Sequence, residues 1–177
     1  MTRSSEGRES TQDDAQASRW GLTAVNYARA MTTDALPTGP DPEAITRMIL
    51  ETWPETDMVE AMGATFFSLD AEKHWPNFAT IVTTDEHDEG APSDLARAGV
   101  FRLNIGVGRA TFERLVGAVE RPDYAAFDRI VPHPVYAKQL WVSILNPTEA
   151  TFREAVVPLL TEAHDRVASV RARHGQG

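Results

Sequence analysis

The chain has 177 residues, of which 42% are apolar, and its 26 acidic and 17 basic residues give it a formal net charge of −9. This length and apolar content suit one domain with a core of ordinary size. The sequence contains no cysteine, which excludes disulfides, thiolate metal sites and cysteine nucleophiles. No apolar run is long enough to span a membrane, and the negative charge would repel nucleic acid and anionic membranes. We therefore expect a cytoplasmic protein that binds neither.

Residues 1–40 differ in composition from the rest of the chain. They are rich in Ser, Thr, Asp, Arg and Gln, and they end in the Pro- and Gly-containing run from Leu36 to Pro40. Low apolar density of this kind is typical of a segment that does not fold alone. We predict a disordered or loosely docked leader over 1–40, a single α+β domain over 41–172 and a tail over 173–177.

The domain is predicted to open with a helix. Asp41 can cap its N-terminus and Pro42 suits its first turn. Apolar side chains then recur at helical spacing as far as Trp53, and Pro54 ends the pattern.

Three further helical segments follow from spacing and capping signals. We predict a short helix over 110–116 and a helical turn near 124–130. In the closing helix, Thr151 and Glu154 could form a capping box. Pro158 predicts either a kink or a delayed start in that helix.

Five runs have the alternation and composition of β-strands, and Gly63 separates the first two as a hairpin turn would. The runs are 58–62, 65–69, 78–84, 100–105 and 140–145. Strands in the middle of the chain with helices at both ends predict an α+β fold. We expect a two-layer sandwich, with an antiparallel sheet of about five strands and helices on one face.

Three strings in the chain carry a resemblance to known sequences: WPNFATIVTTDEHDE, GVFRLNIGVGRATFERLVG and PHPVYAKQLWVSILNP. They resemble an uncharacterised domain family of actinomycete bacteria. More distantly, the segment from Tyr136 through Trp141 to the closing helix is similar to the MmcQ/YjbR-like proteins, which share a fold with the frataxin-like group. The resemblance covers roughly residues 43–170 and implies a YjbR/frataxin-like sandwich. It carries over no catalytic residue.

Alternation along the last two strands predicts a ligand-binding face. Arg102 and Asn104 point away from their apolar neighbours, and Trp141 shares their face if the apolar residues of the fifth strand are core. His133 and Tyr136 lie on the loop that approaches this face. An indole, a guanidinium and an amide together would suit a planar or anionic ligand. The alternative is that Trp141 only shields the sheet or is covered by the leader.

A second candidate site precedes the helix over 110–116. Gly106 and Gly108 would leave backbone N–H groups free beside Arg109, and such groups can hold a phosphate or carboxylate. The third glycine of a dinucleotide fingerprint is missing, so a plain strand-to-helix turn is the alternative. The acidic run 85–89 offers oxygen ligands and an imidazole. Neighbours on one loop seldom converge on one ion, so we predict a solvated loop and no metal site.

These signals leave three functional hypotheses. We favour a small-molecule-binding or accessory protein, in specialised metabolism by the resemblance, since one YjbR-like namesake lies in an antibiotic-biosynthesis cluster. The first alternative is a nucleic-acid-binding regulator, because YjbR-like proteins have been discussed as DNA-binding modules, although the acidic charge opposes it. The second is a minor enzyme with His133 as acid or base beside Tyr136 and Lys138. No cofactor is predicted, and the sequence indicates no oligomeric state.

Overall fold

A computed structural model describes residues 36–90 and 92–174. Residues 1–35 of the leader predicted over 1–40, residue 91 and the last three residues lie outside this range. Residues 36–40 already contact the domain, because the Glu149 N–H donates to the Thr38 carbonyl at 3.1 Å. A Cβ on Gly39 would lie 1.9 Å from the Pro147 carbonyl oxygen, so only glycine fits this approach.

The centre of the fold is an open antiparallel sheet of six strands in the order β1-β2-β3-β4-β6-β5. The strands are β1 (Asp57–Ala61), β2 (Ala64–Ser68), β3 (Asn77–Val82), β4 (Arg102–Gly106), β5 (Val131–Pro132) and β6 (Trp141–Leu145). The expectation of about five strands missed β5, because two residues are too few to show alternation. Pro132 has no N–H for a ladder, which fits its position on an edge strand.

Within the described residues, three α-helices accompany the sheet. They are α1 (Pro42–Thr52), α2 (Arg109–Val116) and α3, in which Glu149–Thr151, a π-helical turn over Phe152–Val156 and Val157–His174 follow without a break. The predicted cap of α1 is present, since Asp41 Oδ1 accepts from the Ala44 N–H at 2.8 Å. No helix within the described residues is long and apolar enough to cross a membrane.

α3 begins at Glu149, within the range predicted for its start between Pro147 and Thr151, but its cap differs from the prediction. Thr148 is the cap, and its hydroxyl accepts from the Thr151 N–H at 3.2 Å, so the expected capping box of Thr151 with Glu154 is wrong. The π-helical turn ends two residues before Pro158. Proline lacks an N–H and its ring crowds the carbonyl four residues earlier. The wider turn accommodates this without ending the helix.

The segment 124–130, predicted as a helical turn, contains no helix, although the Ala126 N–H donates to the Asp123 carbonyl at 3.4 Å in a single turn. Phe127 instead forms a parallel bridge with Leu145, and Asp128 has a φ of 55°, which no right-handed helix allows. The Phe127 side chain packs against a second apolar cluster on the sheet. Tertiary packing therefore decides the local conformation here.

The two faces of the sheet are covered differently. All three helices pack on one face, over the main core formed by residues such as Ile45, Phe67, Leu103, Val142 and Leu160. The opposite face carries a smaller cluster of Ala64, Val82, Leu95, Val100 and Leu145. Leu95 and Val100 come from the loop between β3 and β4, so this loop covers part of the face that the sequence suggested was open. The uncovered part forms the site described next.

Candidate ligand-binding cavity

A cavity of about 520 Å³ lies on the sheet face opposite the helices. Its apolar wall is formed by Ala64, Phe66 and Val82, and aromatic rings are contributed by Trp75, Tyr136 and Trp141. Its size falls within the range of roughly 300–1,000 Å³ found for small-molecule sites. The combination of apolar walls and a few fixed polar groups is typical of such sites.

Strand register brings the predicted face together. Gly106 pairs with Trp141 and Asn104 pairs with Ser143, so side-chain alternation places Arg102, Asn104 and Trp141 on one side of the sheet. Five of the six residues proposed from the sequence line the cavity: Arg102, Asn104, His133, Tyr136 and Trp141.

Arg109 is the sixth, and the structure places it elsewhere. Its side chain is 76% exposed on α2 and lies 3.8 Å from the Glu113 carboxylate. The α2 N-terminus does receive an anion, but the anion is the protein's own Glu162. The Gly108 N–H donates to Glu162 Oε1 at 2.6 Å, and the Thr111 hydroxyl donates to Oε2 at 2.8 Å. The predicted anion site is thus filled from within the chain.

Arg102 forms the buried end of the cavity. It is 1% exposed, and its Nη1 donates to Asp88 Oδ2 and to the Ser93 hydroxyl, the latter at 2.8 Å. Asp88 is also buried, so the prediction of a solvated loop is wrong at this residue. A buried guanidinium needs a counterion, and the loop between β3 and β4 supplies it.

Asn104 ties Arg102 to the sheet. Its Oδ1 accepts from Arg102 Nε at 2.9 Å and from the Ser143 hydroxyl at 2.7 Å. Its Nδ2 donates to the Thr80 hydroxyl at 2.9 Å. The network joins β3, β4 and β6 and satisfies these buried polar groups. Asn104 therefore positions Arg102 and has little capacity left for a ligand.

His133 is held in one tautomer. Its Nδ1 accepts from the backbone N–H groups of Val135 at 3.0 Å and Tyr136 at 3.1 Å, so the proton of the neutral ring resides on Nε2. Burial lowers the pKa of His133 to about 4, with a further contribution from the positive charge of Arg102 that Asp88 partly offsets. At neutral pH the ring is uncharged and offers Nε2–H, which has no partner among the described residues.

The aromatic side chains surround this histidine. Its ring centroid lies 4.9 Å from that of Tyr136 and 6.5 Å from that of Trp141, the latter in an edge-on arrangement. Tyr136 and Trp75 stand at the rim, 51% and 64% exposed. A Cβ on Gly106 would lie 3.3 Å from the Trp141 ring, so this glycine lets the indole lie close to the strand.

Sequence reasoning missed the loop partners Asp88 and Ser93 and the rim residues Trp75 and Asn77. One signal in the sequence pointed to Asp88. An arginine inside an apolar strand implies a buried counterion, and the acidic run was the nearest source. Among the described residues, no three His, Asp or Glu side chains converge as metal ligands would.

Comparison with known proteins places the chain in a family without assigning a function. The model of DUF6194, described as a family of unknown function, matches residues 40–176. No curated protein and no solved structure matches. The more distant resemblance to YjbR-like proteins therefore stays a prediction.

Proposed function

Since the chain belongs to the DUF6194 family of unknown function, we propose a function from its own cavity: the protein binds a small planar molecule that accepts a hydrogen bond from His133 Nε2–H. The observation that carries the proposal is the pairing of stacking surfaces with a donor whose tautomer is fixed. Tyr136 and Trp141 flank the ring of His133, so a planar ligand could stack and bond at once.

The charges of the cavity favour a ring system without a net charge. Arg102 and Asp88 form a buried ion pair, and His133 is neutral above its lowered pKa of about 4. An unpaired charge on the ligand would lose its hydration without gaining a free counterion. A neutral ring with a hydrogen-bond acceptor could bind to His133 Nε2–H without this cost of losing hydration.

The same geometry supports binding over acid–base catalysis. A general base needs an accessible lone pair near neutral pH, and the lone pair of His133 Nδ1 already accepts two backbone N–H groups. The backbone N–H groups that bind Nδ1 hold the His133 ring in one orientation, which reduces the conformational entropy lost when a ligand binds. The proposal includes the role in specialised metabolism that the resemblance implies. The ligand would then be a planar metabolite, and the protein would bind it in the cytoplasm.

Replacing Trp141 with Leu is expected to weaken binding of planar molecules about tenfold or more, because one stacking surface is lost. The test titrates the full chain with riboflavin and 1-naphthylacetamide, and with a saturated bicyclic amide, by isothermal calorimetry. Tyr124→Leu is the control, since Tyr124 does not line the cavity. Equal affinity of the parent and the Trp141 variant, or equal binding of planar and saturated compounds, would contradict the proposal.

A further inference from the structure

A second groove, of about 570 Å³, lies on the other side of Trp141. It runs between the ends of β3 and β4 and the second half of α3, and it shares Asn77, Gln139 and Trp141 with the cavity. The two spaces therefore meet at these three side chains. A molecule longer than the cavity could pass from one to the other.

The charges of this groove differ from those of the cavity. Arg166 and Arg173 line it from α3, and seven residues of spacing put them on the same helical face. Neither forms an ion pair with another described residue. The acidic side chains of the groove are already engaged: Glu162 accepts from the α2 N-terminus, and Asp165 lies 3.1 Å from His164 Nδ1. The groove thus carries two arginines and two carboxylates, and of these four side chains only the two arginines have no hydrogen bond or ion pair with another described residue.

The junction between the two spaces contains an unsatisfied polar atom. Asn77 Oδ1 is buried and has no hydrogen-bond partner among the described residues. Buried polar atoms of folded proteins are nearly always paired, so a rotation of the Asn77 side chain toward either space would let a hydrogen-bond donor on a bound molecule satisfy this oxygen.

We infer that the ligand of the cavity is elongated, with a planar ring in the cavity and an anionic group, a carboxylate or a phosphate, in the groove beside Arg166 and Arg173. This inference rests on the proposed function and adds the chemical class of the ligand. The cavity takes the uncharged ring, and the groove takes the charge that the cavity excludes. Arg102 has no part in holding the anion, because Asp88 already neutralises it.

The test uses two pairs of probes, each consisting of an anionic compound and an uncharged compound with the same ring system. Flavin mononucleotide is compared with riboflavin, and 1-naphthylacetate with 1-naphthylacetamide, so that phosphate and carboxylate are examined separately. In the full chain at low salt, we expect the anionic member of at least one pair to bind about tenfold more tightly than its neutral partner. The preference should decrease as salt is added.

The double variant Arg166→Gln/Arg173→Gln is expected to abolish this preference and leave the Kd of the neutral members within about twofold of the parent. The control is Arg114→Gln/Arg129→Gln, which changes the net charge equally at exposed arginines outside both spaces. Equal binding of charged and neutral members, or loss of the preference in the control, would overturn the inference and leave the proposed function standing. Failure of every probe to bind would count against both.

Discussion

Replacing Arg102 with Met is expected to lower the free energy of unfolding by about 3–5 kcal/mol. The substitution leaves the Asp88 carboxylate buried without its counterion and removes the donors to Ser93 and Asn104. The side chain of methionine fills a similar volume, so the loss of stability should come from the broken hydrogen-bond network and not from an empty cavity. Urea unfolding at pH 7 measures it.

A double variant distinguishes the ion pair from simple packing. Arg102→Met/Asp88→Leu removes both charges, and replacing a buried pair with apolar side chains is often close to neutral. We therefore expect the double variant to regain most of the stability that the single variant loses. A single-variant loss below about 1 kcal/mol would show that Asp88 is solvated, as the sequence suggested.

Lowering the pH from 7 to 4 is expected to cost the parent about 3 kcal/mol more stability than it costs the His133→Asn variant. The pKa of His133 is about 4 in the folded protein, against 6.5 for an ordinary histidine. Between these values the unfolded chain binds a proton that the folded chain excludes. Stability therefore falls as the pH falls through this window.

Asparagine is a suitable replacement for His133 because its side-chain oxygen can accept from the N–H groups of Val135 and Tyr136, as in an Asx turn. It does not titrate, so the difference between the two stability curves isolates the histidine. Unfolding free energies from urea titrations at several pH values give both curves. Parallel curves between pH 7 and pH 4 would show that His133 is protonated equally in both states.

Side-chain alternation explains how much of the cavity could be predicted. In β4 and β6 the apolar residues mark the core face, so the opposite face must carry Arg102, Asn104 and Trp141. The flanking prolines of His133 fix the loop that brings it to the same face. These inferences need only local sequence, because neighbouring strands share their faces through backbone pairing.

Partners distant in sequence could not be predicted in the same way. Glu162 reaches the α2 N-terminus from 54 residues further along the chain, and no local pattern distinguishes it from other helical glutamates. Nothing in the sequence distinguishes Asp88 from its acidic neighbours, because only the folded loop brings it to Arg102. The two-residue strand β5 depends on pairing with β6, which its own sequence does not show.

The central claim is that a planar molecule binds against Trp141 and His133, and NMR of the indole N–H groups tests it most directly. The full chain, labelled with nitrogen-15, is titrated with riboflavin and with 1-naphthylacetamide, and the indole signals are assigned by Trp→Phe variants. Trp53 is the internal control, because it packs in the core on the other side of the sheet. We predict that the Trp141 signal shifts in a saturable manner and the Trp53 signal does not. A titration in which neither signal moves, or in which both shift equally, would contradict the account.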